Sequence, residues 1–138
     1  MTQRTYAMLK PDVASLHRDA IVKMVTEGGF KIVAQKEYQF TLAAAQEFYA
    51  EHEGRPFFDD LTTWISSAPV YAMVLEKDNA IVDWRTFIGP TNSEKARAEA
   101  PDSIRAKYGK DGSHNAVHGS DSVESAKREI LLVFPELA

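Results

Sequence analysis

The stretch Asn115-Ala116-Val117-His118-Gly119-Ser120-Asp121-Ser122-Val123-Glu124-Ser125, running on through Glu129 into Ile130-Leu131-Leu132-Val133-Phe134, decides how the chain reads. Asp121 followed by Glu124 has the form of an N-cap with a reciprocal carboxylate at the third helical position, which predicts a helix from Ser122 to about Arg128. The apolar run Ile130 to Phe134, closed by Pro135, then reads as a buried final strand. A helix start leaves backbone N–H groups without partners, so an anion site is expected just behind His118. Imidazole is largely neutral near pH 7 and can attack an electrophile without a strong base beside it. A carboxylate that takes the proton of one ring nitrogen orients the other and stabilises the cation formed on attack, and Glu129 on the same expected helix is a candidate. A lone histidine ahead of a helix is ordinarily a loop residue, so its company has to carry the argument.

Outward from that stretch, the chain alternates strand and helix signals. Arg4 to Lys10 reads as a short strand ended by Pro11, with Lys10 at its mouth. Ser15 to Glu27 carries Leu16, Ala20, Ile21, Met24 and Val25 at helical spacing and stops at Gly28-Gly29. Phe30 to Phe40 reads as a second strand. Thr41 can cap a helix from Leu42 to Glu53, and Gly54 and Pro56 turn the chain into another from Phe58 to Ser66. Val70 to Leu75 is a short apolar run suited to a buried strand, after which Asp78 or Asn79 caps Ala80 to Ile88, stopped by Gly89-Pro90. Thr91 to Asn115 is polar, holds Pro101, Gly109 and Gly112, and reads as a functional or subunit-contacting loop with short helical patches. The order strand, helix, strand, strand, helix, strand is that of the split βαβ unit. The expected fold is therefore α+β: a ferredoxin-like βαββαβ sandwich with an antiparallel sheet, an inserted helical hairpin and a long loop before His118.

A chain of 138 residues, 44% apolar and 26% charged, suits a single domain spanning 1–138. With no cysteine, it has neither a disulfide framework nor a thiolate metal site, which fits a cytoplasmic protein. Its apolar runs are too short to span a bilayer and the N-terminus lacks a signal-peptide pattern, so no membrane association is expected. A net charge of −4 argues against a surface devoted to nucleic acid. Any anionic ligand would need local basic residues.

The motif Asn-x-x-His-Gly-Ser-Asp-Ser at Asn115 to Ser122, continuing into Val123-Glu124-Ser125-Ala126, resembles the active-site signature of the nucleoside diphosphate kinases. The resemblance extends to Arg4-Thr5-Tyr6-Ala7-Met8-Leu9-Lys10-Pro11-Asp12, Phe48-Tyr49-Ala50-Glu51-His52, Arg55-Pro56-Phe57-Phe58 and Gly89-Pro90-Thr91-Asn92, and so covers essentially the whole chain. It implies the ferredoxin-like fold and a ping-pong transfer of the γ-phosphoryl group of a nucleoside triphosphate, typically ATP, to a nucleoside diphosphate through a phosphohistidine on His118, with broad base and sugar tolerance. It further implies that Lys10, Arg85 and Arg105 contact phosphates, with Thr91 and His52 adding hydrogen bonds. Phe57 stacks on the base with Leu61 near the same wall, Lys10 and Asn115 bind the ribose hydroxyls, Tyr49 lies against the imidazole, and Ser120 and Glu129 hold it. The chain has neither G-x-x-x-x-G-K-[ST] nor G-x-G-x-x-G, so scattered side chains must supply the cations. Arginine's planar fork and lysine's compact charge suit that task.

By the same resemblance, Mg2+ is needed and is held by nucleotide phosphates and water with no direct protein ligand, Asp121 acting at most through water. The protein is expected to be a homo-oligomer, hexamer or tetramer. Two segments depart from the family pattern, Val13 to Asp19 and the pair Thr91-Asn92-Ser93 and Asp102-Ser103-Ile104-Arg105. Two rival readings belong to other classes. One is a catalytically idle nucleotide-binding regulatory protein of the same fold, and the other a phosphocarrier charged by a protein donor, which would not need Phe57, Thr91 or the arginines.

Overall fold

The computed structural model describes residues 2–90, 92–109 and 116–137. Strand β1 (Thr2–Leu9) runs through an antiparallel sheet in the order β2 (Lys31–Tyr38), β3 (Val70–Asp78), β1, β4 (Val117–Gly119). β1 pairs with β3 along its length, Thr2 opposite Asp78 and Leu9 opposite Tyr71. Its other edge meets β4 over three positions, with Ala7 opposite Gly119, Met8 opposite His118 and Leu9 opposite Val117.

Helices cover both faces of the sheet, so Thr5 to Leu9 are all fully buried. The two-residue period of the strand divides them. Tyr6 and Met8 join Phe48, Ile65 and Phe134 on one face, and Ala7 and Leu9 join Ile21, Trp84 and Ile88 on the other.

α1 (Pro11–Leu16) and α2 (Arg18–Glu27) link β1 to β2. The hairpin of α3 (Leu42–Phe48) and α4 (Phe58–Ser67) is inserted before β3. α5 (Ala80–Ile88), α6 (Ser93–Glu99) and α7 (Ile104–Tyr108) precede β4, and α8 (Val123–Val133) follows it. The βαββαβ order and the ferredoxin-like α+β class hold.

The segment expected to form the last strand does not. Ile130 to Val133 continue α8, and the strand that completes the sheet is Val117–Gly119, the histidine's own segment. A continuous apolar run fits a buried strand or one side of a helix equally well. Here Ala126, Glu129, Ile130 and Val133 recur at helical spacing on the buried side, whereas Leu131 is 45% exposed. The cap also moves by one residue: Ser122, not Asp121, is the N-cap, its hydroxyl accepting from the Ser125 N–H at 3.1 Å.

The helix expected over Ser15 to Glu27 is two helices divided at His17 (φ −129°, ψ 13°). The first begins with Pro11 just inside its start, where a missing N–H costs nothing. Leu16, expected on the apolar side, is 76% exposed. Thr41 caps α3 through the Ala44 N–H as expected, but the helix ends at Phe48 and only a 3₁₀ turn, Ala50–His52, follows. Asn79 precedes α5 in the left-handed region (φ 57°) with no side-chain cap bond. The polar segment after Gly89 contains α6 and α7, capped by Asn92 and Ser103.

Candidate active site

His118 reaches the site because β4 is an edge strand paired to β1 at the sheet's centre. Its side chain, 19% exposed, shares a face with Tyr6 and Phe48, whose rings lie 6.0 and 5.2 Å away. Glu129, one turn from the end of α8 and almost fully buried, places Oε1 2.9 Å from His118 Nε2. The Ser120 hydroxyl donates to that same oxygen at 2.8 Å and accepts the Tyr6 N–H at 3.2 Å. Ser120 therefore stands where β4 stops pairing, extending the β1 edge by one side-chain bond and fixing the carboxylate.

A buried carboxylate opposite Nε2 favours the tautomer with its proton on Nε2. The lone pair then sits on Nδ1, the nitrogen that Glu129 does not engage. An attack through Nδ1 would create a cation next to a carboxylate already desolvated and oriented.

The cationic residues come from α5, α7 and the end of β1. Arg105 is 8% exposed. Its guanidinium donates to the Gly89 carbonyl at 2.8 Å and the Val117 carbonyl at 3.0 Å, while Nε finds no partner among the described residues. Burial, and then the nearby positive charge of Arg85, push Arg105 down to about 10. Two like charges close enough to disfavour each other mark a place where an anion would bind favourably. Arg85 also reaches Asp121, whose carboxyl is held below its usual range first by the Ser125 hydroxyl. Lys10, buried at the end of β1, is tied to the strand of His118 through its backbone N–H, which donates to the Ala116 carbonyl at 2.8 Å.

A line of aromatic rings leads outward from His118. Tyr49 meets it edge-on at 6.2 Å, His52 follows at 6.2 Å from Tyr49, and Phe57 at 5.4 Å from His52. Phe57 is 36% exposed, while Leu61 is buried with Phe48 and Tyr49. The Tyr49 hydroxyl has no partner among the described residues; burial and then the Glu129 charge push its ionisation upward. Thr91 and Asn115 lie outside the described residues.

The arrangement joins His118, Glu129 and Ser120 by direct bonds, places Tyr49 against the imidazole, and connects Lys10 and Arg105 to the histidine's strand through backbone carbonyls. Three contributors escaped the sequence reading: Tyr6, Phe48 and Trp84, whose indole Nε1 donates to the His118 carbonyl at 3.2 Å. A glycine directly after the histidine, in a strand, is a signal of close approach that could have pointed to Trp84.

The family model described as "Nucleoside diphosphate kinase" matches residues 3–138. The chain belongs to the nucleoside diphosphate kinase family. It is 47% identical over 135 residues to the nucleoside diphosphate kinase of Pasteurella multocida, covering 97% of this chain and 95% of that one. It is 50% identical over 129 residues to that of Flavobacterium psychrophilum, covering 93% and 91%. Among solved structures, the Aquifex aeolicus nucleoside diphosphate kinase superposes with a TM-score of 0.87 at 45% identity, covering 96% of this chain and 94% of that chain. The Halobacterium salinarum enzyme in complex with CDP gives 0.87 at 40% identity, covering 96% and 87%. As a nucleoside diphosphate kinase, the chain is a nucleotide-binding phosphotransferase that moves a phosphoryl group from a nucleoside triphosphate to a nucleoside diphosphate. No helix among the described residues is long and apolar enough to cross a membrane.

Proposed function

We propose that His118 is the phosphoryl carrier of this kinase and works in two halves. Nδ1 attacks the γ-phosphorus of a nucleoside triphosphate, typically ATP; the bond to the β–γ bridging oxygen breaks, and the nucleoside diphosphate leaves with that oxygen. In the second half, a terminal phosphate oxygen of another nucleoside diphosphate attacks the phosphohistidine and the N–P bond breaks, restoring neutral His118. The observation that carries this reading is the 2.9 Å contact between His118 Nε2 and buried Glu129, which leaves the other nitrogen for chemistry and places a negative charge where the imidazolium forms.

In this reading Lys10, Arg85 and Arg105 hold the phosphates, helped by Thr91 and His52. Phe57 and Leu61 receive the base, and stacking accounts for broad base tolerance because every base has a π-face. Lys10 and Asn115 take the ribose hydroxyls, Tyr49 backs the imidazole, and Ser120 and Glu129 orient it. The unpartnered Nε of Arg105, facing repulsion from Arg85, supports an anion there. The CDP bound to the Halobacterium salinarum relative supports a nucleoside diphosphate as the ligand.

Mg2+ fits this donor set as a passenger on the phosphates. The phosphate-holding side chains are cationic, the Glu129 carboxylate is engaged by His118 and Ser120, and Asp121 is the acidic residue near Arg85 that could reach the ion through water. When bound, the ion neutralises phosphate charge. A single domain over 1–138, a cytoplasmic location, no membrane or specific nucleic-acid partner, and a hexamer or tetramer complete the proposal. The exposed edge offered by β2 supports assembly.

The test is incubation with ATP labelled at the γ position and magnesium. Acid-labile, base-stable label on His118, discharged by GDP, is the expected result. His118→Ala should fold, bind ADP and carry no label. Appreciable turnover by that variant would remove His118 from the role, and folded wild type without label would leave only a binding protein.

A further inference from the structure

We propose that Trp84 is a positioning residue for the phosphoryl carrier, acting on the backbone of His118 from the opposite side of the sheet. The proposal rests on the reading of His118 as nucleophile and adds a group that never meets the nucleotide. β4 is only three residues long and lies at the edge of the sheet with one neighbouring strand, so contacts outside the ladder contribute to fixing its backbone. Successive carbonyls from Ala116, the residue before β4, through His118 are each engaged. Ala116 accepts from the Lys10 N–H at 2.8 Å, Val117 from Arg105 at 3.0 Å, and His118 from the Trp84 indole at 3.2 Å.

Trp84 is itself closely packed. It is fully buried, meets Phe30 edge-on at 5.4 Å and stacks on Phe87 at 5.9 Å. Gly119 makes the approach possible, because a Cβ there would stand 2.6 Å from Trp84 Cδ1 and 3.0 Å from Nε1. The glycine beside the histidine is thus the opening through which the indole reaches the carbonyl. The imidazole lies on the face with Tyr6 and Phe48, whereas the indole belongs to the face with Ala7 and Val117. Trp84 and Glu129 therefore hold the same residue from two sides, one by its backbone and one by its ring.

The test replaces Trp84 site-specifically by 3-benzothienylalanine, which keeps the bicyclic shape and substitutes sulfur for N–H, and in parallel by 7-azatryptophan, which keeps the N–H. Single-turnover phosphorylation of His118 by ATP, ADP affinity and melting temperature are measured for each. The sulfur isostere should phosphorylate about 3–10-fold more slowly, the size of one hydrogen bond expressed as a rate, with ADP affinity and melting temperature kept. The aza analogue should match wild type. Trp84→Phe, which also lacks the donor, should be slowed at least as much as the isostere. An isostere as fast as wild type would overturn the inference alone, and so would parallel losses of rate, affinity and melting temperature. Absence of label on wild-type His118 would overturn the underlying reading as well.

Discussion

The two faces of the sheet do different work with the same strands. On the face of Tyr6 and Met8, polar groups are buried at a cost: the Glu129 carboxylate, the Ser120 hydroxyl, and the Tyr6 and Tyr49 hydroxyls that find no partner among the described residues. On the face of Ala7 and Leu9, the packing is mainly aliphatic and aromatic, built from Ile21, Phe30, Leu75, Trp84, Ile88 and Ile104, with the buried Thr5 hydroxyl the polar exception on β1. One carries the reactive group and the other supplies rigidity. Away from Trp84, mutations on the two should therefore separate stability from chemistry.

Leu75→Ala should be the largest disturbance. Leu75 is fully buried on central strand β3, opposite Thr5 of β1 and Ile32 of β2. Removing it leaves a cavity that the surrounding strands cannot close, at a cost of about 3–4 kcal/mol. Urea unfolding should register that loss, while the phosphorylation rate per folded molecule stays near wild type. An equal collapse of rate in the folded variant would break the division between the faces.

Glu129→Gln should do the reverse. The amide oxygen can still accept from His118 Nε2 and Ser120, so the bonds at 2.9 and 2.8 Å survive and unfolding should change little. What disappears is the negative charge beside the imidazolium formed on attack. By analogy with other carboxylate–histidine pairs, phosphorylation should slow by about 100-fold, or about 2.7 kcal/mol of barrier. Wild-type rates in this variant would show that the carboxylate serves only as a hydrogen-bond acceptor.

Legibility in the sequence follows the same division. Alternation marked β1 and β2, a short apolar run marked β3, and punctuation at Gly28, Thr41, Gly54 and Gly89 marked the helices around them, because those signals are local. The last element failed because Ile130 to Phe134 is apolar without a period. Whether it became strand or helix depended on Val117–Gly119 already filling the sheet edge, which is a long-range fact. Of the residues the family resemblance assigned to the imidazole, both within 11 positions of His118, Glu129 meets its ring and Ser120 bonds to Glu129. Trp84 lies 34 positions away and acts through a backbone carbonyl, which no side-chain pattern advertises.

The smallest effect concerns the buried phenols. Tyr6 and Tyr49 are both pushed upward chiefly by burial, with the Glu129 charge adding to each. A phenol whose folded ionisation lies above its unfolded value near 10 stabilises the fold fully below pH 10, and that stability is lost as pH rises further. Each phenol changes stability by about 1.4 kcal/mol per pH unit while only the unfolded state titrates, so the two together lose about 2.8 kcal/mol per unit. Tyr49→Phe removes one phenol together with a buried hydroxyl that lacks a described partner. The alkaline fall in melting temperature between pH 10 and 11 should then shrink to about half, with stability at pH 7 unchanged or slightly higher. An alkaline limb as steep as that of wild type would show that Tyr49 ionises freely in the folded protein, and that the face bearing His118 is wetter than its packing implies.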